Sequence, residues 1–67
     1  MDEITLKRYD DENLESQSGE CRMPVKMLRN ALREQYGEFI EILMRTGESF
    51  FISREETESK IKKIEGK

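Results

Sequence analysis

The chain has 67 residues, 12 basic and 15 acidic, for a formal net charge of −3, with no His, no Trp, one Cys and one Pro. That is room for one small domain over residues 1–67. Without His, and with Cys21 alone, one chain cannot hold an internal disulfide, a four-ligand zinc site, or a Ser-His-Asp or Cys-His catalytic set, and no Gly-rich phosphate loop is present. The expectation is a binding or regulatory module rather than an enzyme, with no metal, cofactor or small-molecule substrate.

Charge is divided along the chain: residues 1–20 carry a net −5, residues 21–46 a net +2, and residues 47–67 balance. No run approaches the ~18 apolar residues of a membrane span. Met1-Asp2-Glu3 opens acidic where a signal peptide opens basic, and a lone thiol suits a reducing compartment, so a cytoplasmic protein without a membrane partner is expected.

In chain order, Glu3-Ile4-Thr5-Leu6-Lys7-Arg8-Tyr9 alternates loosely and carries β-favouring residues, which predicts a short strand at a sheet edge. Residues 10–20 are polar and acidic with one apolar side chain, Leu14, and read as a loop with freedom to move. Pro24 suits the first turn of a helix. Val25, Leu28, Leu32 and Tyr36 then recur at helical spacing, and Gly37 fits as a stop, which predicts a helix over 24–36.

Residues 38–53 admit two readings. As a β-hairpin, Glu38–Arg45 and Ser49–Ser53 flank Gly47-Glu48 as a two-residue turn, which sets Met44 opposite Phe51, Leu43 opposite Ile52 and Glu41 opposite Arg54. As helix, Phe39 and Leu43 continue the preceding stripe to Arg45. Gly37 and the β-branched and aromatic run around Gly47 favour the hairpin. Ser53-Arg54-Glu55-Glu56 fits a capping box for a C-terminal helix over 54–65, with acids in its first turns, Lys60, Lys62 and Lys63 in its last, and Thr57, Ile61 and Ile64 facing inward. Glu56–Lys60 and Glu58–Lys62 are spaced to pair. The fold class expected is α+β: strand, helix, hairpin, helix.

In that register both hairpin faces are largely apolar: Ile40, Ile42, Met44 and Phe51 on one, Phe39, Leu43, Phe50 and Ile52 on the other. Two short helices cover one face and only part of the second, so these eight residues are the expected interface of a homodimer. Arg22, Lys26, Arg29 and Arg33, spaced 4, 3 and 4 apart, fall within about 60° of helix circumference beside the apolar stripe. Such a ridge suits a phosphate backbone or an acidic protein surface, and an ordinary solvated helix face equally. Asp10, Asp11 and Glu12 lack calcium-loop punctuation and read as a solvated acidic loop. Cys21 reads either as a small half-buried side chain or as a thiol activated by Arg22. Met23, Met27 and Met44 read as gap fillers in core or interface.

Four segments, Gly19-Glu20-Cys21-Arg22-Met23-Pro24, Leu28-Arg29-Asn30-Ala31-Leu32, Gly37-Glu38-Phe39-Ile40-Glu41-Ile42 and Thr46-Gly47-Glu48-Ser49-Phe50-Phe51-Ile52, together resemble the swapped-hairpin AbrB family over residues 4–53. That family has a Gly-Arg strand entering a Pro, a short helix with a Leu-Arg pair, and a Gly-turned final strand. The resemblance implies a domain-swapped dimer of transcription-factor or antitoxin type, in which Arg8, Arg22, Arg29 and Arg33 approach DNA. Arg22-Met23-Pro24 and Ser53-Arg54-Glu55-Glu56 are also similar to ribbon-helix-helix repressors, whose two helices lie closer in sequence. Two functions are expected to compete: a dimeric DNA-binding regulator or antitoxin, and a small acidic inhibitor or adaptor of phage or mobile-element type that binds a host protein through the acidic loop or hairpin.

Overall fold

A computed structural model describes residues 2–66. The order is β1 (Glu3–Tyr9), β2 (Gln17–Pro24), α1 (Val25–Glu34), β3 (Phe39–Leu43), β4 (Ser49–Ser53) and α2 (Arg54–Glu65). The strands form one antiparallel sheet in the order β2-β1-β4-β3, so the fold is α+β as the periodicities indicate.

Strand β2 is the main departure from the predicted elements. Gln17–Glu20 belong to it rather than to the acidic loop, and Pro24 closes it before α1 begins. Gln17-Ser18-Gly19-Glu20 has almost no β propensity. The segment is held by pairing with β1, from Glu3 opposite Pro24 to Lys7 opposite Glu20. A bulge follows, where Gly19 takes φ 113°, a conformation that the missing Cβ permits.

The remaining loop is built on Asp11, whose carboxylate accepts from the backbone amides of Glu15 (3.0 Å) and Ser16 (2.8 Å). The Ser18 hydroxyl donates to Asp10 at 2.9 Å, and the Asp10 amide donates to the Ser16 carbonyl at 3.0 Å.

Strand β1 is not at an edge of the sheet order, yet it meets β4 through a single pairing, Tyr9 opposite Phe51. Over the rest of its length α2 stands where a strand would. The Lys7 amide donates to the Glu56 carboxylate (3.2 Å), and Lys60 donates to the Thr5 carbonyl. Glu56 is therefore not free to complete the capping box. Its own amide donates to the Ser53 hydroxyl (3.2 Å), but its carboxylate serves β1 and Lys60. Helix α2 otherwise follows its sequence pattern, with Thr57 and Ile61 buried, Ile64 packed against the core and Gly66 at the C-cap.

Helix α1 ends two residues earlier than predicted. Gln35 is extended (φ −120°, ψ 147°), and its side-chain amide both donates to the Glu41 carbonyl and accepts from the Glu41 amide, each at 2.9 Å. Arg54 binds carbonyls at and just beyond the helix end: Leu32 in its last turn at 3.4 Å, Gln35 at the C-cap, and Gly37 in the following loop at 2.6 Å. A cation there also complements the negative end of the helix dipole. Tyr36 consequently leaves the apolar stripe and is 88% exposed.

The hairpin reading of 38–53 is the one realised, in a different register. Met44 accepts from the Gly47 amide (3.0 Å) and donates to the Glu48 carbonyl (2.7 Å), which closes a three-residue loop, Arg45-Thr46-Gly47, with Gly47 at φ 92°. Such loops place glycine last, where a two-residue turn would have placed it first. The pairs are Ile40 with Ile52, Glu41 with Phe51 and Ile42 with Phe50. This is a slip of three from the expected register, and an odd slip moves every β4 side chain to the other face. The apolar residues thereby separate. Ile40, Ile42, Phe50 and Ile52 share the face under the helices, with Ile4, Leu6, Met23, Val25, Leu28 and Ile61 completing the core.

Candidate functional site

The side chains expected to bind an anion fall into three groups. Lys26, Arg29 and Arg33 stand on the exposed side of α1, within about 60° of one another. No acid falls in that arc, and among the described residues neither Lys26 nor Arg33 has a salt-bridge partner. Arg29 pairs with Glu65 at the end of α2, with both side chains about half exposed.

Arg22 does not continue this ridge, because it belongs to β2. Alternation along the strand sets it with Glu20 on the sheet face turned away from the helices, where it meets Glu3 at 3.1 Å. Arg8 is also apart, five residues along β1 from Glu3 and so at the end remote from the start of α1. Its guanidinium carbon lies 4.7 Å from the centre of the Phe50 ring, and its Nε is buried without a hydrogen-bond partner. Arg8 is thus a half-buried cation over an aromatic ring, a packing role as much as a binding one.

The expected dimer face also divides. Ile40, Phe50 and Ile52 are buried within the chain, and Ile42 and Met44 pack against the same core. Phe39, Leu43 and Phe51 remain on the outer face. Phe39 and Phe51 meet edge to face with centroids 5.4 Å apart, and Leu43 is 71% exposed. Tyr9, opposite Phe51, joins them; sequence alone could not bring it there, because that one pairing links the two hairpins. Neither helix covers this strip, and Glu41 lies within it. Met27 is not a gap filler; it is exposed on α1.

The acidic loop has a defined shape, since Asp10 and Asp11 accept its internal hydrogen bonds. Arg54 serves α1 and Glu58 (3.4 Å) rather than Glu41, and among the described residues Glu58 forms no salt bridge with Lys62. Thr57 is the one buried polar residue among those described, and its hydroxyl donates to the Ser53 carbonyl at 2.7 Å. Cys21 faces the helices, away from Arg22, and burial pushes its thiol above the usual range, with Arg8 pulling the other way and Glu56 adding to the rise. It is therefore not the activated thiol that a neighbouring Arg22 would make.

Among the described residues no three His, Cys, Asp or Glu side chains are placed to hold a metal ion. No helix of the described residues is long and apolar enough to cross a membrane. Comparison of the chain with protein-family models, with curated proteins and with solved structures finds no significant match.

Proposed function

We propose that the chain is a small DNA-binding regulator of antitoxin type, acting as a homodimer, and that the cationic side of α1 meets the phosphate backbone. The observation that carries this is the arc of Lys26, Arg29 and Arg33 on an exposed helix, in which Lys26 and Arg33 have no salt-bridge partner among the described residues and Arg29 has only Glu65. The Arg29–Glu65 pair is solvated, and exposed pairs of this kind are worth about 0–1 kcal/mol, so a phosphate can displace it. The overall negative charge keeps non-specific affinity low and confines binding to this one face.

Duplex-DNA affinity measured against salt tests the proposal. Binding should weaken steeply with salt, and Lys26→Ala and Arg33→Ala should each reduce the slope by about one. Failure to bind duplex DNA at low salt, or slopes that the substitutions leave unchanged, overturns it.

One observation favours a second reading, an adaptor that binds a protein partner: the outer-face strip of half-buried Tyr9, Phe39 and Phe51 with exposed Leu43 and Glu41 beside them. It fits a partner surface that is apolar with basic margins. Leu43→Asp would abolish such binding and leave the α1 arc intact.

A further inference from the structure

The sheet has two outer edges, and they are treated differently. On β3 the Glu41 amide and carbonyl are both occupied by the Gln35 side chain, a cap that prevents another strand from adding there. On β2 nothing plays that part. The Val25 amide donates to the Asp2 carbonyl at 2.9 Å, which fixes the phase of the β1–β2 ladder. Met23 and Cys21 direct their backbone groups at β1, whereas Arg22 and Glu20 direct theirs outward. Among the described residues no side chain or loop hydrogen-bonds to those outward groups.

We propose that this edge pairs with the same edge of a second copy, antiparallel about a two-fold axis through Cys21. The outward backbone groups restrict the register to even steps, and charge selects among them. With Cys21 opposite its own copy, Glu20 of each chain lies opposite Arg22 of the other, on the same sheet face, so both cross-strand pairs are of opposite sign. A shift of two residues one way sets Glu20 against Glu20. The opposite shift sets Arg22 against Arg22. Among the described residues Glu20 has no salt-bridge partner and Arg22 pairs with Glu3 alone, its side chain 74% exposed. The ladder is short, because Pro24 has no amide to donate and the Gly19 bulge interrupts the other end. Four backbone hydrogen bonds and two ion pairs make a reversible, concentration-dependent dimer with both copies of α1 on one side of an eight-stranded sheet. This surface supplies the pairing that the proposed function requires.

In this register Cys21 forms a non-hydrogen-bonded pair, in which Cα atoms approach to about 4.5 Å, within the range a disulfide spans. Oxidation of the full chain with diamide therefore reports the interface: two thiols give up two electrons and two protons to diamide and join as one disulfide. The wild-type chain should yield a covalent dimer faster as its concentration rises. Glu20→Arg alone and Arg22→Glu alone each make both cross-strand pairs repulsive and should suppress it. Mixing these two variants restores opposite signs at both pairs, and covalent heterodimer should form roughly tenfold faster than either homodimer. Circular dichroism of each variant confirms that the exposed substitutions leave the fold in place. A chain that stays monomeric in sedimentation, a dimer that gives no Cys21 cross-link, or a mixture no faster than its components overturns the proposal. Where a dimer that binds DNA gives no Cys21 cross-link or no faster mixture, only the surface has failed and not the proposed function; a chain that stays monomeric removes the homodimer of the proposed function as well.

Discussion

Arg54 is the residue on which the junction between the two halves of the fold depends. Its guanidinium binds Gly37 and Gln35 through short hydrogen bonds and reaches Leu32 and Glu58 at 3.4 Å, a distance that contributes little. Replacing Arg54 by Met keeps most of the aliphatic stem and removes the donors. Hydrogen bonds from a charged group are worth about 1.5–3 kcal/mol each when well sheltered. Two such bonds, discounted because water can reach the carbonyls, come to about 2–3 kcal/mol. A chain of this size is held by roughly 3–10 kcal/mol in all, so the loss is a large share of it. At about 4–8 °C per kcal/mol, the midpoint of thermal unfolding should fall by roughly 10–20 °C. Urea titration followed by far-ultraviolet circular dichroism measures the change directly. Arg54→Lys should recover less than half of it, because an ammonium cannot span carbonyls at the end of a helix in the way that a planar fork does. A loss below about 1 kcal/mol for Arg54→Met, or full recovery by Lys, would show that the carbonyls are satisfied without the guanidinium.

Two further outcomes follow from the turn and from the core. Gly47 at φ 92° closes the three-residue loop, so Gly47→Val should destabilise the chain by about 1–2 kcal/mol in the same titration, and an unchanged midpoint would contradict the turn assigned here. Burial raises the Cys21 thiol above its ordinary value of 9.0. The thiol is neutral in both folded and unfolded chains well below that pH, while at higher pH only the unfolded chain ionises readily. Stability from this group is therefore fully present below the unfolded value and is lost as pH rises through it toward the folded one. Iodoacetamide alkylation in dilute native protein should accordingly reach half its limiting rate above pH 9.0, and a half-rate pH at or below that value would count against a buried thiol.

Much of the fold is legible in local sequence. The boundaries of α2 follow from Ser53, its acidic first turn and Gly66, because capping and dipole interactions involve only neighbouring residues. Strand β1 and the turn-forming role of Gly47 are local in the same sense. The cationic arc of Lys26, Arg29 and Arg33 is legible too, since helical spacing alone sets which side chains share a face. Arg22 could not be excluded from it without knowing that residues 17–24 form a strand. That strand has no propensity of its own to announce it; pairing with β1 creates it, and pairing is a property of two segments.

The register of β3 and β4 is the clearest division between what is local and what is not. Local sequence favoured a hairpin turning at Gly47 over a helix continuing to Arg45, because glycine takes a positive φ without a Cβ penalty, and the structure holds Gly47 at φ 92°. Local sequence did not determine whether Gly47 is the first of two loop residues or the last of three. The tertiary structure decided that, because only the three-residue loop sets Phe50 and Ile52 on the same face as Ile40 and Ile42, beneath the helices. With period-two alternation, that choice turns an apparently two-faced apolar hairpin into one buried face and one narrow outer strip in which Phe39 and Phe51 are half-buried and Leu43 is exposed.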